Sequence, residues 1–301
     1  MLAEAPKTLE ELAGATKAHT PSLRRLLLML ASIGIFAEDT GGRFRHTPVS
    51  ETLRTDYPQS LRNWAVFWGA AWIWRPWGDL GHSVLTGEPA FNSVHGTSFF
   101  DYLSSHSDDA ATFNAAMTAL PVAEILAAYD FGRFERIVDV GGGQGALLHA
   151  ILQAHPKLRG ILADLPTVVP GAAALRTGPI AGRCEIVGID FFKQVPEGAD
   201  AYVMKAIIHD WEDESALKIL RNCRRAIRKG GKLLVMDNVL KPSNEPDSNL
   251  GRFVDLGMLI LVTGRERTEA QFASLLRAGG FALTRVIPTT AYMSIIESEP
   301  A

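Results

Sequence analysis

A glycine-rich turn stands where a strand pattern gives way to a helix pattern. Val138-Asp139-Val140-Gly141-Gly142-Gly143-Gln144-Gly145 follows an apolar run and precedes a helical run over 146–154. Glycines at such a turn let the backbone bend sharply and approach a ligand with no side chain between. A tight turn that binds nothing has the same local pattern, so its surroundings must decide. Asp164 ends the next strand pattern, at a spacing where an acid accepts from ribose hydroxyls. A dinucleotide site would carry that acid too, but its spacing G-x-G-x-x-G is not met, because position 146 is Ala. Asp190-Phe191-Phe192 closes a third strand pattern, offering an acceptor for an adenine amino group and a face for stacking. Lys205 and His209 follow a fourth, and histidine is the side chain best suited to proton transfer near neutral pH.

These residues need a framework that gathers them at one edge. Strand-like runs at 136–140, 160–163, 184–189, 201–204, 232–236, 281–287 and 292–297 alternate with helical runs at 146–154, 215–228 and 269–278. Thr268-Glu269-Ala270-Gln271 predicts a capping box at the start of the last helix. The order predicts an α/β, Rossmann-like domain with a mainly parallel seven-stranded sheet and helices on both faces. Ligands of such sheets sit outside the carboxyl ends of the strands, where the glycine turn, Asp164, Asp190 and His209 all fall.

Before residue 130, helical periodicity dominates. Thr8-Leu9-Glu10-Glu11 predicts another capping box, and Thr20-Pro21 opens a second helix. Leu23, Leu26, Leu27, Leu30 and Ile33 are expected to form its broad buried face. Two short alternating runs around Asp39-Thr40-Gly41-Gly42 predict a hairpin. Helix, turn, helix and hairpin together read as a winged-helix unit. Trp64, Trp68 and Trp72 are spaced by four and predict one helical face, serving either as core or dimer seam or as a ligand contact. A helical stretch over 98–129, broken near Pro121, leads into the sheet domain.

Taken together, Asp139–Gly145, Asp164-Leu165-Pro166, Gly188-Ile189-Asp190-Phe191 and Lys205-x-x-x-His209-Asp210-Trp211 resemble the phenolic O-methyltransferase family. Its members include plant caffeate-type enzymes and bacterial relatives acting on carotenoids, polyketides and phenazines. The likeness covers nearly the whole chain. It implies a winged-helix dimerisation domain over 1–95, with the Trp-rich helix. Residues 96–301 would supply a helical acceptor-binding segment and the methyltransferase domain. It implies S-adenosyl-L-methionine as cofactor and S-adenosyl-L-homocysteine as product. The methionine part would fall to Asp139, Gly141 and Gly143, the ribose to Asp164 with Leu165 beside it, adenine to Asp190 and Phe191, and Lys205 would lie by the cofactor.

A phenol at neutral pH is mostly protonated, whereas its phenolate attacks a sulfonium methyl readily. The reaction needs a base and an in-line pose. Position after the fourth strand and the resemblance both assign the base to His209. The resemblance further implies that Asp237, at the end of the fifth strand, orients the imidazole, with Glu266 as a second acid. A solvated loop charge fits the spacing of Glu266 equally well. Asp210 reads as the N-cap of a helix starting at Trp211. By the same resemblance, Phe113, Asn114, Met117, Trp211, Met258 and Leu261 line the pocket of a flat, largely apolar, hydroxylated acceptor, although such residues serve as plain core as well. Asp237-Asn238 echoes the acids that hold Mg²⁺ in some catechol-type methyltransferases. Histidine after strand four is a poor Mg²⁺ ligand, so chemistry without a metal is expected.

Composition narrows the classes further. The net charge of −3 gives no electrostatic sign of nucleic-acid binding. A winged-helix DNA-binding regulator would read DNA with residues 22–33, where Arg24 and Arg25 are the only basic side chains. The other alternative keeps the fold and cofactor but has diverged to hydroxylation or decarboxylation, against which the presence of His209 argues. Cys184 and Cys223, with no secretory signal before them, predict free thiols and a cytoplasmic location. The apolar runs around 26–30 and 256–262 are too short to span a bilayer, and no membrane partner is expected. The resemblance implies a homodimer. Family members usually carry a helix ahead of the winged-helix unit, and the few residues before Thr8 leave no room for it, so a weaker dimer is expected.

Overall fold

The computed structural model describes residues 1–58, 60–120, 122–242 and 249–301. They form two compact units, Met1–Gly69 and Ala70–Ala301.

In the first unit, helices Leu9–Thr16 and Thr20–Ser32 precede an antiparallel hairpin of β1 (Phe36–Glu38) and β2 (Phe44–His46). Thr8 and Glu11 cap the first helix reciprocally, and Pro21 sits in the first turn of the second. The core is small: Leu12, Leu27 and Phe44, flanked by Leu2, Leu9, Leu23 and Phe36. The broad buried face expected of Thr20–Ser32 is not found. Leu27 alone is buried there, while Leu26, Met29 and Ile33 are each more than half exposed. Three core residues cannot cover so wide an apolar stripe.

The second unit is built on β3 (Arg136–Val140), β4 (Arg159–Asp164), β5 (Cys184–Gly188), β6 (Ala201–Lys205), β7 (Lys232–Asp237), the short β8 (Val239–Leu240) and β9 (Arg267–Thr268), β10 (Phe281–Pro288) and β11 (Ser294–Pro300). Among the described residues, seven strands form one sheet in the order β10-β11-β7-β6-β3-β4-β5. The five from β3 to β7 are parallel, and β10 and β11 are antiparallel. Strands buried on both sides are apolar at nearly every position. Val138, Val140, Tyr202 and Val235 face helices Asp213–Ala226 and Glu269–Ala278. Ile137, Leu162, Val203 and Leu234 face Ala146–Ala154. The chain leaves β3 for β4 and β5 on one side, then crosses to β6 on the other. That reversal opens a crevice at the carboxyl end of β3.

Several expectations differ in detail. The stretch before the sheet is three helices, Phe99–Ser105, Ser107–Thr118 and Ala123–Ala128; the break expected at Pro121 lies outside the described residues. The three tryptophans do not share a helix, because one helix, Arg62–Gly69, ends before the next, Ala71–Gly78, begins. Trp64 stacks on Trp68 at 6.0 Å, whereas Trp72 stacks on Tyr102 at 5.6 Å. Tyr292 precedes the last strand, which starts at Ser294. Both cysteines are free. The segment Ser107–Ala128 is long and apolar enough by composition to cross a membrane, more so than the runs seen in the sequence. Its first helix borders a cavity at the carboxyl edge of the sheet, which accounts for its apolar side.

Candidate active site

A cavity of about 770 Å³ opens at the carboxyl edge of the sheet, and the glycine turn after β3 is part of its wall. Gly143 has a φ of +61°, and a Cβ added there would meet nothing within 4 Å, so it would occupy ligand space. Asp164 Oδ2 accepts from the Gly143 amide at 2.7 Å and Oδ1 from the Leu165 amide at 2.6 Å. These bonds hold the turn open and leave lone pairs for ribose hydroxyls. Asp139 is fully buried, and neither carboxylate oxygen has a partner among the described residues. Burial pushes its carboxyl up to about 7, against the pull of Lys205. A buried carboxylate without donors is costly, and a cationic ligand would relieve it. Lys205, lowered to about 8 by burial despite Asp139, donates to the Met117 carbonyl at 3.3 Å. Asp190 borders the cavity with Phe191, its Oδ1 accepting from the Phe192 amide at 3.0 Å. Leu165 and Gly141 also line it. This donor set suits a ligand with a cationic centre, a sugar and an aromatic base.

Aromatic rings close the other side. Phe113, Asn114, Met117, Trp211 and Leu261 line the cavity. Met258 does not: it lies one turn before Leu261 and packs in the core, while Leu261, Val262 and Thr263 reach the opening. Phe100, absent from the sequence reading, stacks on Trp211 at 5.3 Å, and Phe192 meets the same ring edge-on at 4.7 Å. The buried Trp211 Nε1 has no partner among the described residues.

His209 sits in a single 3₁₀ turn, Ile208–Asp210, after β6. Its Nδ1 lies 2.7 Å from Glu266 Oε1, and its Nε2 lies 3.5 Å from Asp210 Oδ1. Glu266 is thus the acid bonded to the ring. Asp237, fully buried at the end of β7, has no side-chain hydrogen bond to the ring among the described residues and acts on it by charge. Burial pulls the imidazole down, but Glu266, Asp237 and Asp210 outweigh it and push His209 up to about 10. The ring is buried and does not itself border the cavity; Asp210 and Trp211 do. Asp210 is no helix cap. Trp211 is extended, the helix opens at Asp213, and Glu212 accepts from the Glu214 and Ser215 amides. Asp210 therefore turns to the cavity and to His209, and burial pushes its carboxyl up to about 7. Tyr292 also belongs to this cluster: burial, then Glu266 and Asp237, push its phenol well up. It comes from the loop before β11 and carries no motif. No group of three or more His, Cys, Asp or Glu set to hold a metal ion occurs among the described residues.

Residues 77–282 match the model of the O-methyltransferase domain, and residues 1–56 that of the O-methyltransferase dimerisation domain. The chain belongs to the O-methyltransferase family. The cradle of Asp139, Gly143, Asp164 and Asp190 fits S-adenosylmethionine, the methyl donor of this family. Among O-methyltransferases, the chain is 43% identical to phenazine O-methyltransferase PhzM of Lysobacter antibioticus, over 100% of this chain and 88% of that one. It is 42% identical to the mitomycin biosynthesis 6-O-methyltransferase of Streptomyces lavendulae, over 97% and 84%. A crystal structure of an O-methyltransferase from neocarzinostatin biosynthesis, in complex with S-adenosylmethionine and 2-hydroxy-5-methyl naphthoic acid, matches with a TM-score of 0.83 and 35% identity, over 100% and 91%. The family includes enzymes named for N-methylation as well as O-methylation.

Proposed function

We propose that this enzyme transfers a methyl group from S-adenosylmethionine to a hydroxyl of a small, planar aromatic acceptor, with His209 as general base. The observation that carries the reading is the His209–Glu266 hydrogen bond beside a cavity with an aromatic wall and an unpartnered buried carboxylate. Bound S-adenosylmethionine supplies an electrophilic methyl group on a cationic sulfur. Asp139, Gly141 and Gly143 receive its methionine part, Asp164 and Leu165 the ribose, Asp190 and Phe191 the adenine, and Lys205 flanks it. Phe113, Asn114, Met117, Trp211 and Leu261 hold the acceptor ring, joined by Phe100.

Glu266 accepts from Nδ1–H and leaves the lone pair on Nε2. Nε2, which faces Asp210 at the cavity wall in the free protein, takes the hydroxyl proton once the acceptor is seated beside it, the oxygen gains nucleophilic charge, and the imidazolium is stabilised by Glu266, Asp237 and Asp210. In the free protein these acids hold the ring protonated at neutral pH. A cation in the cavity opposes that charge and favours the neutral, proton-accepting ring.

The exposed Leu26, Met29 and Ile33 supply an apolar face for a homodimer. Arg24 and Arg25, the only basic residues of Thr20–Ser32, are too few for phosphate contacts, and we assign neither nucleic acid nor membrane as partner. The cytoplasm, where S-adenosylmethionine is available, is the expected compartment. The test is a methyl-transfer screen by mass spectrometry with wild type and His209→Ala, using phenols and hydroxylated polycyclic aromatics. Gain of one methyl by wild type, largely lost in a variant that still binds cofactor, supports the reading. Undiminished transfer by the variant removes His209 as base. No transfer across the panel, with cofactor bound, points to diverged chemistry.

A further inference from the structure

The residue after Glu266 is Arg267, which has 0% exposure. A fully buried guanidinium gives up its hydration, so its partners carry meaning. Its Nη1 donates to the Ile208 carbonyl at 3.1 Å and the Arg265 carbonyl at 3.3 Å. Its Nη2 donates to the Trp211 carbonyl at 2.8 Å. Nε and Nη2 both reach Asp213 Oδ1, at 3.2 and 2.8 Å, and Asp213 is half exposed. Ile208 and Trp211 bracket His209 and Asp210. One planar fork thus spans the turn from both sides, which a lysine ammonium cannot do. β9, where Arg267 lies, pairs in parallel with β8, two residues beyond Asp237. Glu266 bonds the imidazole, and its neighbour bonds the main chain that carries the imidazole.

We propose that Arg267 is a positioning residue for methyl transfer: by clamping the Ile208 and Trp211 carbonyls it fixes where His209 and Asp210 point. The inference rests on His209 being the base. Without the clamp, the turn relaxes and Nε2 leaves its place. A displacement of about 1 Å at a reacting group costs on the order of 100-fold in rate.

The test compares wild type, Arg267→Lys, His209→Gln and the double variant, measuring kcat against pH, the Kd for S-adenosylmethionine by calorimetry, and thermal unfolding. Arg267→Lys is expected to lower kcat by about 10- to 100-fold, to move the kcat inflection to lower pH as the ring leaves its carboxylates, and to leave cofactor affinity unchanged. The loss is expected to vanish in the His209→Gln background, because residues acting through one group are not additive. A full-sized loss in that background, a parallel loss of cofactor affinity, or no loss of kcat overturns the proposal. If Arg267→Lys does not fold, Asp213→Asn, which removes the clamp's charge partner at the surface, is read by the same criteria. A His209→Gln variant as fast as wild type would instead remove the base assignment, whatever Arg267→Lys does.

Discussion

Gly264 lies so close to the His209 main chain that a Cβ at 264 would fall 1.9 Å from the His209 carbonyl oxygen and 2.5 Å from the Trp211 amide nitrogen. No flexible side chain is there to yield; both neighbours are backbone. Gly264→Ala must therefore shift the turn that carries His209. The expected outcome is a kcat lowered by about 100-fold and a stability loss of about 1–3 kcal/mol. Steady-state kinetics and thermal unfolding check it, and an alanine variant with wild-type kcat would show the turn to be tolerant.

The pH dependence follows from the carboxylates around His209. As the proposed base, His209 works when neutral, and in the free enzyme its pKa is pushed up to about 10. log(kcat/KM) should rise with pH toward that value, whereas kcat, which reports the loaded enzyme, should level off at lower pH. Glu266→Gln removes the strongest raising charge and moves the kcat/KM inflection down. Stability moves in the opposite sense. The folded pKa lies above the ordinary 6.5, so this contribution is full below 6.5 and is lost as pH rises through about 10. Chemical denaturation of wild type and Glu266→Gln across that window measures it; identical slopes would remove the coupling.

Asp139 gives a second, opposite test. Its carboxyl is raised from 3.8 to about 7, so ionising it in the folded chain costs stability that grows between those values. Asp139→Asn should be more stable than wild type at pH 8 without ligand, and the difference should close below pH 4. The same variant should bind S-adenosylmethionine about 10- to 100-fold more weakly, as a buried charge partner is removed. Equal affinity by calorimetry would take Asp139 out of the cofactor site.

The proposed acceptor wall is tested at Phe100. Its ring stacks on Trp211, which borders the cavity. Phe100→Ala should raise the acceptor KM by about 10-fold, the equivalent of a lost aromatic pair, with cofactor affinity unchanged. A wild-type KM for every acceptor turned over would place the acceptor elsewhere.

Features with a local signature were legible in the sequence. The reciprocal caps at Thr8 and Thr268 appear where their motifs lie, and β3 with the helix after it has the bounds that periodicity gives. What needed three dimensions was hidden. Whether Asp210 caps a helix or faces the cavity depends on one residue, Trp211, being extended. That Glu266 rather than Asp237 bonds the imidazole depends on how residues 264–267 pack across the turn. Tyr292 and Arg267 reach the cluster from strands and loops far along the chain, with no periodic pattern of their own. Met258 and Leu261 are one turn apart, and only the helix end faces the opening. The exposed stripe on Thr20–Ser32 looks identical in sequence to a core face, because hydrophobicity does not say which chain will cover it.

The cavity wall sets the carboxyl groups of Asp101, Asp139, Asp164, Asp190 and Asp210 against the ammonium of Lys205, the one Lys or Arg side chain among its described lining residues. Such a field discriminates between the two ends of a turnover. With S-adenosylmethionine bound there as proposed, it would draw in a cationic donor from a solution full of neutral and anionic adenosine compounds, and it would have less hold on the same molecule once the methyl has gone and the sulfur is an uncharged thioether. On the proposed assignment of the site, the acids that crowd it would act as an exchange device, favouring fresh donor over spent product without any moving part.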